Sequence, residues 1–169
     1  HEVLDSLRSH ERSFCAKQRD GSQAVTIRSF ILAGEDGTSI DTVDARKSVS
    51  ACFLLQLNRD IRHDVHASIQ IHDRQGMPLM VVRDSEFHGL LNGHTGQMVV
   101  ASMKFALPLQ AGQYYCQVGL SLFPAGEKYA DGCFNFSNAE VADLVQYAAY
   151  FQVLPYKHHP IPVPVLNES

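Results

Sequence analysis

The sequence predicts an all-β fold, an antiparallel β-sandwich of immunoglobulin-like or jelly-roll type, from three observations. Apolar and polar residues alternate with period two over long segments. Those segments are rich in β-branched and aromatic residues, and the gaps between them carry Gly, Pro, Asn and Asp. Seven or eight strands separated by such gaps fold into two facing sheets. At 169 residues the chain suits one domain, and that length buries a full core without disulfide or metal staples.

The elements follow in order. Residues 1–20 are polar, with Val3, Leu4 and Leu7 as a weak helical stripe. They read as the end of a linker from a preceding domain, or as a plain flexible terminus. The sandwich is expected over 21–155. Its first strand is "AVTIRSFILA" (Ala24 to Ala33), followed by "SVSACFLLQLN" (Ser48 to Asn58) with Val49, Ala51, Phe53, Leu55 and Leu57 on one face. In "DVHASIQIHD", Val65, Ala67, Ile69 and Ile71 point one way, and His66, Ser68, Gln70 and His72 the other.

A Gly turn leads to a short strand from Pro78 to Arg83, and "GQMVVASMKFALPL" supplies the next. In "PLQAGQYYCQVGLSLF", Tyr114, Cys116, Val118, Leu120 and Leu122 can face a core, while Tyr115, Gln117, Gly119 and Ser121 form the opposite face. Ser137 and Glu140 stand at capping-box spacing and predict a short helix before "VQYAAYFQVLP" returns to strand. "AGEDGTSID", "HGLLNGHTG" and "PAGEKYADG" read as turn-rich gaps.

The tail, 156–169, alternates Pro160, Pro162 and Pro164 with Ile161, Val163 and Val165. Prolines at spacing two remove N–H donors from one edge of an extended chain and leave the other intact. Such a strand pairs on one side only, as an edge of its own sheet or of a neighbouring subunit's. Exchange of the C-terminal strand would make a symmetric homodimer.

Charge and composition exclude several functions. A net charge of -4 and a pI of about 6.1 offer no basic field, so no nucleic-acid partner is expected. Cys15, Cys52, Cys116 and Cys133 show no metal-type or redox-type spacing, and the sequence opens without the features of a secretory leader. Reduced thiols and a cytoplasmic location are the expectation. No apolar run approaches the roughly 20 residues of a membrane-spanning helix.

Catalytic motifs are missing as well. There is no phosphate-binding GxxxxGK[ST] loop, no GxSxG elbow and no GxGxxG fingerprint. His63 and His66 would point to opposite faces of a strand, as would adjacent His158 and His159, so no metal or other cofactor is expected. Asp73, Asp84 and Glu86 flank a turn without the placement of a glycoside-cleaving pair, and Cys116 reads as a small core residue. The chain is not expected to be an enzyme.

Three segments carry a resemblance. "VSACFLLQLNRDIRHDVHASIQIHDRQGMPLM" and "FALPLQAGQYYCQVGLSLF", followed by "AAYFQVLP", resemble the C-terminal domain of Wzt, the ATPase subunit of ABC transporters that export O-antigen polysaccharide. The matching features are an Ile-x-Asp-x-x-Gly-x-Pro-like turn and a Pro-Leu-x-x-Gly-x-Tyr-like strand opening, within residues 25 to 154. The resemblance implies a carbohydrate-recognition module at the cytoplasmic face of the inner membrane. It would select a lipid-linked O-antigen, often by its non-reducing end, for a membrane permease subunit, as a dimer with exchanged C-terminal strands. The nucleotide-binding domain of the full-length protein does not occur in this sequence.

Sugars present hydroxyls to amides, hydroxyls and imidazoles, and flat C–H faces to aromatic rings. Tyr115, Gln117 and Ser121, with His66, Ser68, Gln70 and His72, would form a carbohydrate-binding face if their strands share a sheet. Tyr150 and Gln152 have the same character, and Arg28, Arg83 or Lys104 could meet a charged terminal group. The absence of tryptophan points to weak, multivalent binding. Two other readings are a dimerisation or adaptor sandwich that docks a protein, and a catalytic jelly roll.

Overall fold

The computed structural model describes residues 2–11, 14, 16–83, 89–124 and 139–155. A helix, α1 (Glu2–Ser9), and a single 3-10 turn (Ala16–Gln18) precede ten strands: β1 (Arg19–Asp20), β2 (Val25–Ala33), β3 (Thr42–Asp44), β4 (Ser48–Leu57), β5 (Ile61–Asp73), β6 (Pro78–Arg83), β7 (Gly89–Gly93), β8 (Met98–Ala106), β9 (Gly112–Pro124) and β10 (Glu140–Leu154). The larger sheet runs β1-β10-β9-β5-β6, with β3 also on β10 and β7 also on β5; the smaller runs β2-β4-β8. Pairing is antiparallel except between β3 and β10.

The long strands match the period-two reading, and the extra ones are short. β7 lies in "HGLLNGHTG", which reads as a turn-rich gap, and β3 just follows "AGEDGTSID", where no strand is expected, because three to five residues with Gly or Asp carry too little alternation to register. The helix expected from Ser137 and Glu140 is absent over the described residues, which run as strand from Glu140, while Ser137 itself lies outside them. Glu140 opens β10, whose pairing with β9 begins at Glu140↔Leu122, and its carboxylate accepts hydrogen bonds from Arg59 Nη2 at 2.7 Å and Ser22 Oγ at 2.7 Å. Tertiary pairing overrides the local capping pattern.

The core lies between the sheets. Val65, Ala67, Ile69 and Ile71 of β5 and Cys116, Val118, Leu120 and Leu122 of β9 join Val49, Ala51, Phe53 and Leu55 of β4 in one buried cluster. β4 is apolar on both faces. Its second face, Cys52 and Leu54, packs with Ile31 and Ala33 of β2 under Leu7 of α1, while Val3 and Leu4 complete the contact. The stripe at Val3, Leu4 and Leu7 therefore docks as a third layer, and full burial of Leu7 contributes about 1.5–3 kcal/mol.

One buried polar group joins the two sheets. The Asp143 carboxylate, inaccessible to solvent, accepts from Arg19 Nε at 3.0 Å, Gln23 Nε2 at 2.8 Å and the Ile27 backbone N–H at 2.7 Å. The Arg19 Nη2 group donates onward to the Ile27 carbonyl at 2.6 Å. A register shift between Val141 and Asp143 accompanies this inward turn of the carboxylate.

Candidate functional site

β5 and β9 are adjacent, and their register places His66 opposite Ser121, Ser68 opposite Gly119, Gln70 opposite Gln117 and His72 opposite Tyr115. Cross-strand partners project to the same side of a sheet. All seven residues singled out in the sequence therefore lie on one surface, the outer face of the larger sheet. β6 extends it on one flank, with Val81 opposite Gln70, and β10 on the other, with Leu144 opposite Gly119 and Tyr150 opposite Tyr115.

The face has two unlike parts. Over β5 and β9 is a polar groove of about 280 Å3, lined by Ser68, Gln70, Gln117 and Ser121, with His66 at one end and Gly119 in its floor. A Cβ on Gly119 would stand 3.2 Å from Leu144 Cδ1 and 3.3 Å from Ser68 Oγ, so the missing side chain gives the groove its depth. His66 is almost fully buried and meets Phe123 edge-on at 6.4 Å.

At the other end an aromatic cluster borders a second groove of about 280 Å3, lined by Arg74, Gln113, Tyr114, Tyr115, Tyr147 and Tyr150. The His72 and Tyr115 rings stack with centroids 4.8 Å apart and planes 9° from parallel. Tyr147 approaches Tyr115 at 4.7 Å and Tyr150 at 6.3 Å. Partial desolvation, then the neighbouring Tyr147, Tyr150 and Asp73, push the Tyr115 phenol above its ordinary pKa. It stays a neutral hydrogen-bonding group at physiological pH.

The placement of Tyr147 needs a bulge. Between Val145, paired with Val118, and Ala149, paired with Cys116, the three residues Gln146–Ala148 oppose the single Gln117. Tyr147 takes φ of 53°, a left-handed conformation uncommon for a bulky side chain, and the residue is 41% exposed. Strict alternation would bury Tyr147 in phase with Val145 and Phe151. Sequence reasoning misses it for that reason, and the only local signal is the tyrosine content of "QYAAY".

The two motifs that carried the resemblance support this face from below. The Asp73 carboxylate accepts from the backbone N–H groups of Gln75 at 2.8 Å and Met77 at 2.9 Å, and Gly76 has φ of 85°, so the Asp-x-x-Gly stretch is a side-chain-capped hairpin turn between β5 and β6. His72 lies against that turn, with Nδ1 3.3 Å from the Gly76 carbonyl and Nε2 3.1 Å from Gln70 Oε1. In the second motif the Tyr114 hydroxyl donates to the Gln110 carbonyl at 2.6 Å, and its ring stacks on Phe151 at 5.6 Å. Tyr114 locks the start of β9 and aims Tyr115 outward.

The candidate cations are placed differently from expectation. Arg28 lies on β2 of the smaller sheet, bonded to Glu11 at 2.6 Å and to Gln56 at 3.2 Å, and Lys104 is on β8 of the same sheet. Neither reaches the face, because their strands belong to the opposite layer. The Arg83 side chain, Asp84, Glu86, Cys15, Cys133, His158, His159 and the proline-alternating tail lie outside the described residues. Arg74, in the β5–β6 turn, is the cation at the aromatic groove. Among the described residues no three His, Cys, Asp or Glu side chains converge as a metal site, and no helix is long and apolar enough to cross a membrane.

These features define a two-sheet antiparallel β-sandwich whose larger sheet exposes a polar and aromatic face. The chain belongs to the Wzt C-terminal domain family, whose family model matches residues 16–162. The crystal structure of the C-terminal domain of Wzt aligns with a TM-score of 0.66 at 14% identity, covering 90% of this chain and 83% of that one, a likeness of fold. A Niemann-Pick type C2 protein from Japanese carpenter ant aligns with a TM-score of 0.49 at 8% identity over 79% of this chain and 96% of that one, too distant to bear on function. No curated protein matches the sequence.

Proposed function

We propose that this chain is the carbohydrate-binding, substrate-specificity module of an O-antigen ABC exporter, and that the outer face of the larger sheet receives the polysaccharide. Family membership supports the transporter context. The observation that carries the glycan reading is the register of β5 on β9, which gathers hydroxyl, amide and imidazole groups beside a tyrosine cluster. A strand-borne face of this kind presents fixed hydrogen-bonding groups to sugar hydroxyls and ring faces to sugar C–H groups.

On this reading the ligand is a lipid-linked O-antigen, recognised on the cytoplasmic side of the inner membrane and passed to the permease subunit. The module acts without catalysis, beside a nucleotide-binding domain of the full-length protein. Recognition of the non-reducing end would couple export to a finished chain. Two modules in a homodimer, joined by exchange of the tail over 156–169, would add avidity to weak single-site binding.

A binding titration of this chain against a panel of bacterial O-polysaccharides, with and without the modified terminal residue, tests the proposal. Saturable binding to one polymer, weakened in Tyr115→Ala and Gln117→Ala, is the expected result. Absence of binding across a panel that includes the cognate polymer would favour a protein-docking role for the same face. Deletion from Ile161 onward is expected to lower the mass in solution from dimer to monomer; an unchanged mass would refute the exchange.

A further inference from the structure

The polar and aromatic parts of the face are separate in space and unlike in chemistry. From Tyr115 to Gly119 along β9 is four residues, about 13 Å of strand. That span exceeds a single hexopyranose ring, so one sugar cannot rest on the tyrosines and also reach into the groove above Gly119. Among the described residues neither groove is lined by a carboxylate, and Arg74 is the one permanently charged side chain in their lining.

Two backbone features maintain the division. Gly119 supplies a floor without a side chain, between Leu144 on one side and Ser68 on the other. The bulge at Gln146–Ala148 turns the Tyr147 ring outward beside Tyr115. A left-handed φ at a tyrosine is costly, and such a conformation persists where the surrounding structure holds it. Without the bulge Tyr147 would point into the core, and Tyr115 would lose the ring that flanks it opposite His72.

We infer that the face is a two-subsite device: Tyr147 at the β10 bulge builds a stacking subsite for the apolar face of one sugar ring, and Gly119 opens a hydrogen-bonding subsite for the hydroxyls of another ring further along the same chain. Tyr147 and Gly119 are thus specificity-determining residues, one by adding a ring and the other by lacking a side chain. The smallest unit held well is an oligosaccharide. This inference rests on the carbohydrate reading above, and it predicts that the two subsites fail independently.

The probe is the O-polysaccharide of the strain that encodes this chain, with mono-, di-, tri- and tetrasaccharide fragments prepared by partial acid hydrolysis. Affinities are measured by titration, and the protons touching protein are mapped by saturation-transfer NMR. In the wild type, affinity should rise at least tenfold between the monosaccharide and the best fragment. Tyr147→Gly should lower affinity for that fragment at least fivefold and erase saturation transfer to the C–H protons of one sugar residue, leaving the contacts of the other in place.

Gly119→Ala should lower affinity by a similar factor and erase the contacts of that other residue. Gln117→Ala, which adds no bulk, should weaken the same residue's contacts and covers the case in which the alanine disturbs folding. Monosaccharide binding as tight as that of every fragment, or loss of the same contacts in Tyr147→Gly and Gln117→Ala, would overturn the two-subsite inference while leaving carbohydrate binding standing. No binding of polymer or fragments to the wild type would overturn both.

Discussion

Asp143→Ala should be among the most damaging single substitutions outside the apolar core. The wild-type carboxylate is fully buried and accepts from Arg19, Gln23 and the Ile27 backbone N–H at 2.7–3.0 Å. Removing it orphans the Ile27 N–H in a buried position, a cost of about 1–3 kcal/mol. It also leaves the Arg19 side chain, 17% exposed, without its counter-charge, although the bond to the Ile27 carbonyl and some solvent contact survive. The combined loss is about 3–4 kcal/mol, within the range for breaking one side of a buried pair.

Total stabilities of about 5–15 kcal/mol make that a large fraction. With a urea m-value of about 2 kcal/mol/M, the unfolding midpoint should fall by about 1.5–2 M. Equilibrium urea melts followed by circular dichroism would measure it. Asp143→Asn should lose nearly as much, since the amide sets an N–H2 among three donors. A midpoint shift below about 0.5 M at unchanged m-value in both variants would refute the assignment of Asp143 as the group that ties β10 to β2.

Other outcomes follow from the same structure. Tyr147→Gly should remain within about 1 kcal/mol of wild-type stability, because relief of the left-handed φ offsets the lost ring contacts and the added chain entropy; a larger drop in urea midpoint would show that the ring has a structural role. Burial pushes the Glu140 carboxyl up, but hydrogen bonds from Arg59 and Ser22 and the Arg59 charge outweigh it and hold its pKa below the ordinary range. A depressed folded pKa gives stability that is present above the unfolded value near 4.3 and lost as pH falls through the folded value. For this partly exposed pair the loss should be under about 1 kcal/mol, and Arg59→Met should flatten it in melts between pH 5 and 3. Burial pushes the Cys116 thiol up to about 12 and the Cys52 thiol up as well, so neither should react with a maleimide at pH 8 before unfolding, as peptide mass mapping would report.

Legibility in the sequence tracks the range of the interaction that decides each feature. His66, Ser68, Gln70 and His72 share a side because successive residues of a strand alternate, and the same rule unites Tyr115, Gln117 and Ser121. That β5 lies beside β9 in the register His72↔Tyr115 is a choice between segments about 40 residues apart. A slip of one residue would send one set inward, and the burial of Ile69, Ile71, Cys116 and Val118 forbids it. The capping pattern at Ser137 and Glu140 misled for the converse reason: a local preference of about 1 kcal/mol yields to a long ladder on β9.

By itself the sequence determined the class of fold, the faces of the long strands, the family and seven residues of the candidate face, because each follows from period-two chemistry or from short motifs such as Asp-x-x-Gly and Gly-x-Tyr. Tertiary structure alone decided which strands are neighbours, that α1 covers the second apolar face of β4, that Arg28 and Lys104 lie on the other sheet, and that Tyr147 points out of a bulge beside Tyr115. Those features depend on pairing and burial between residues distant in the chain, and no local pattern encodes them.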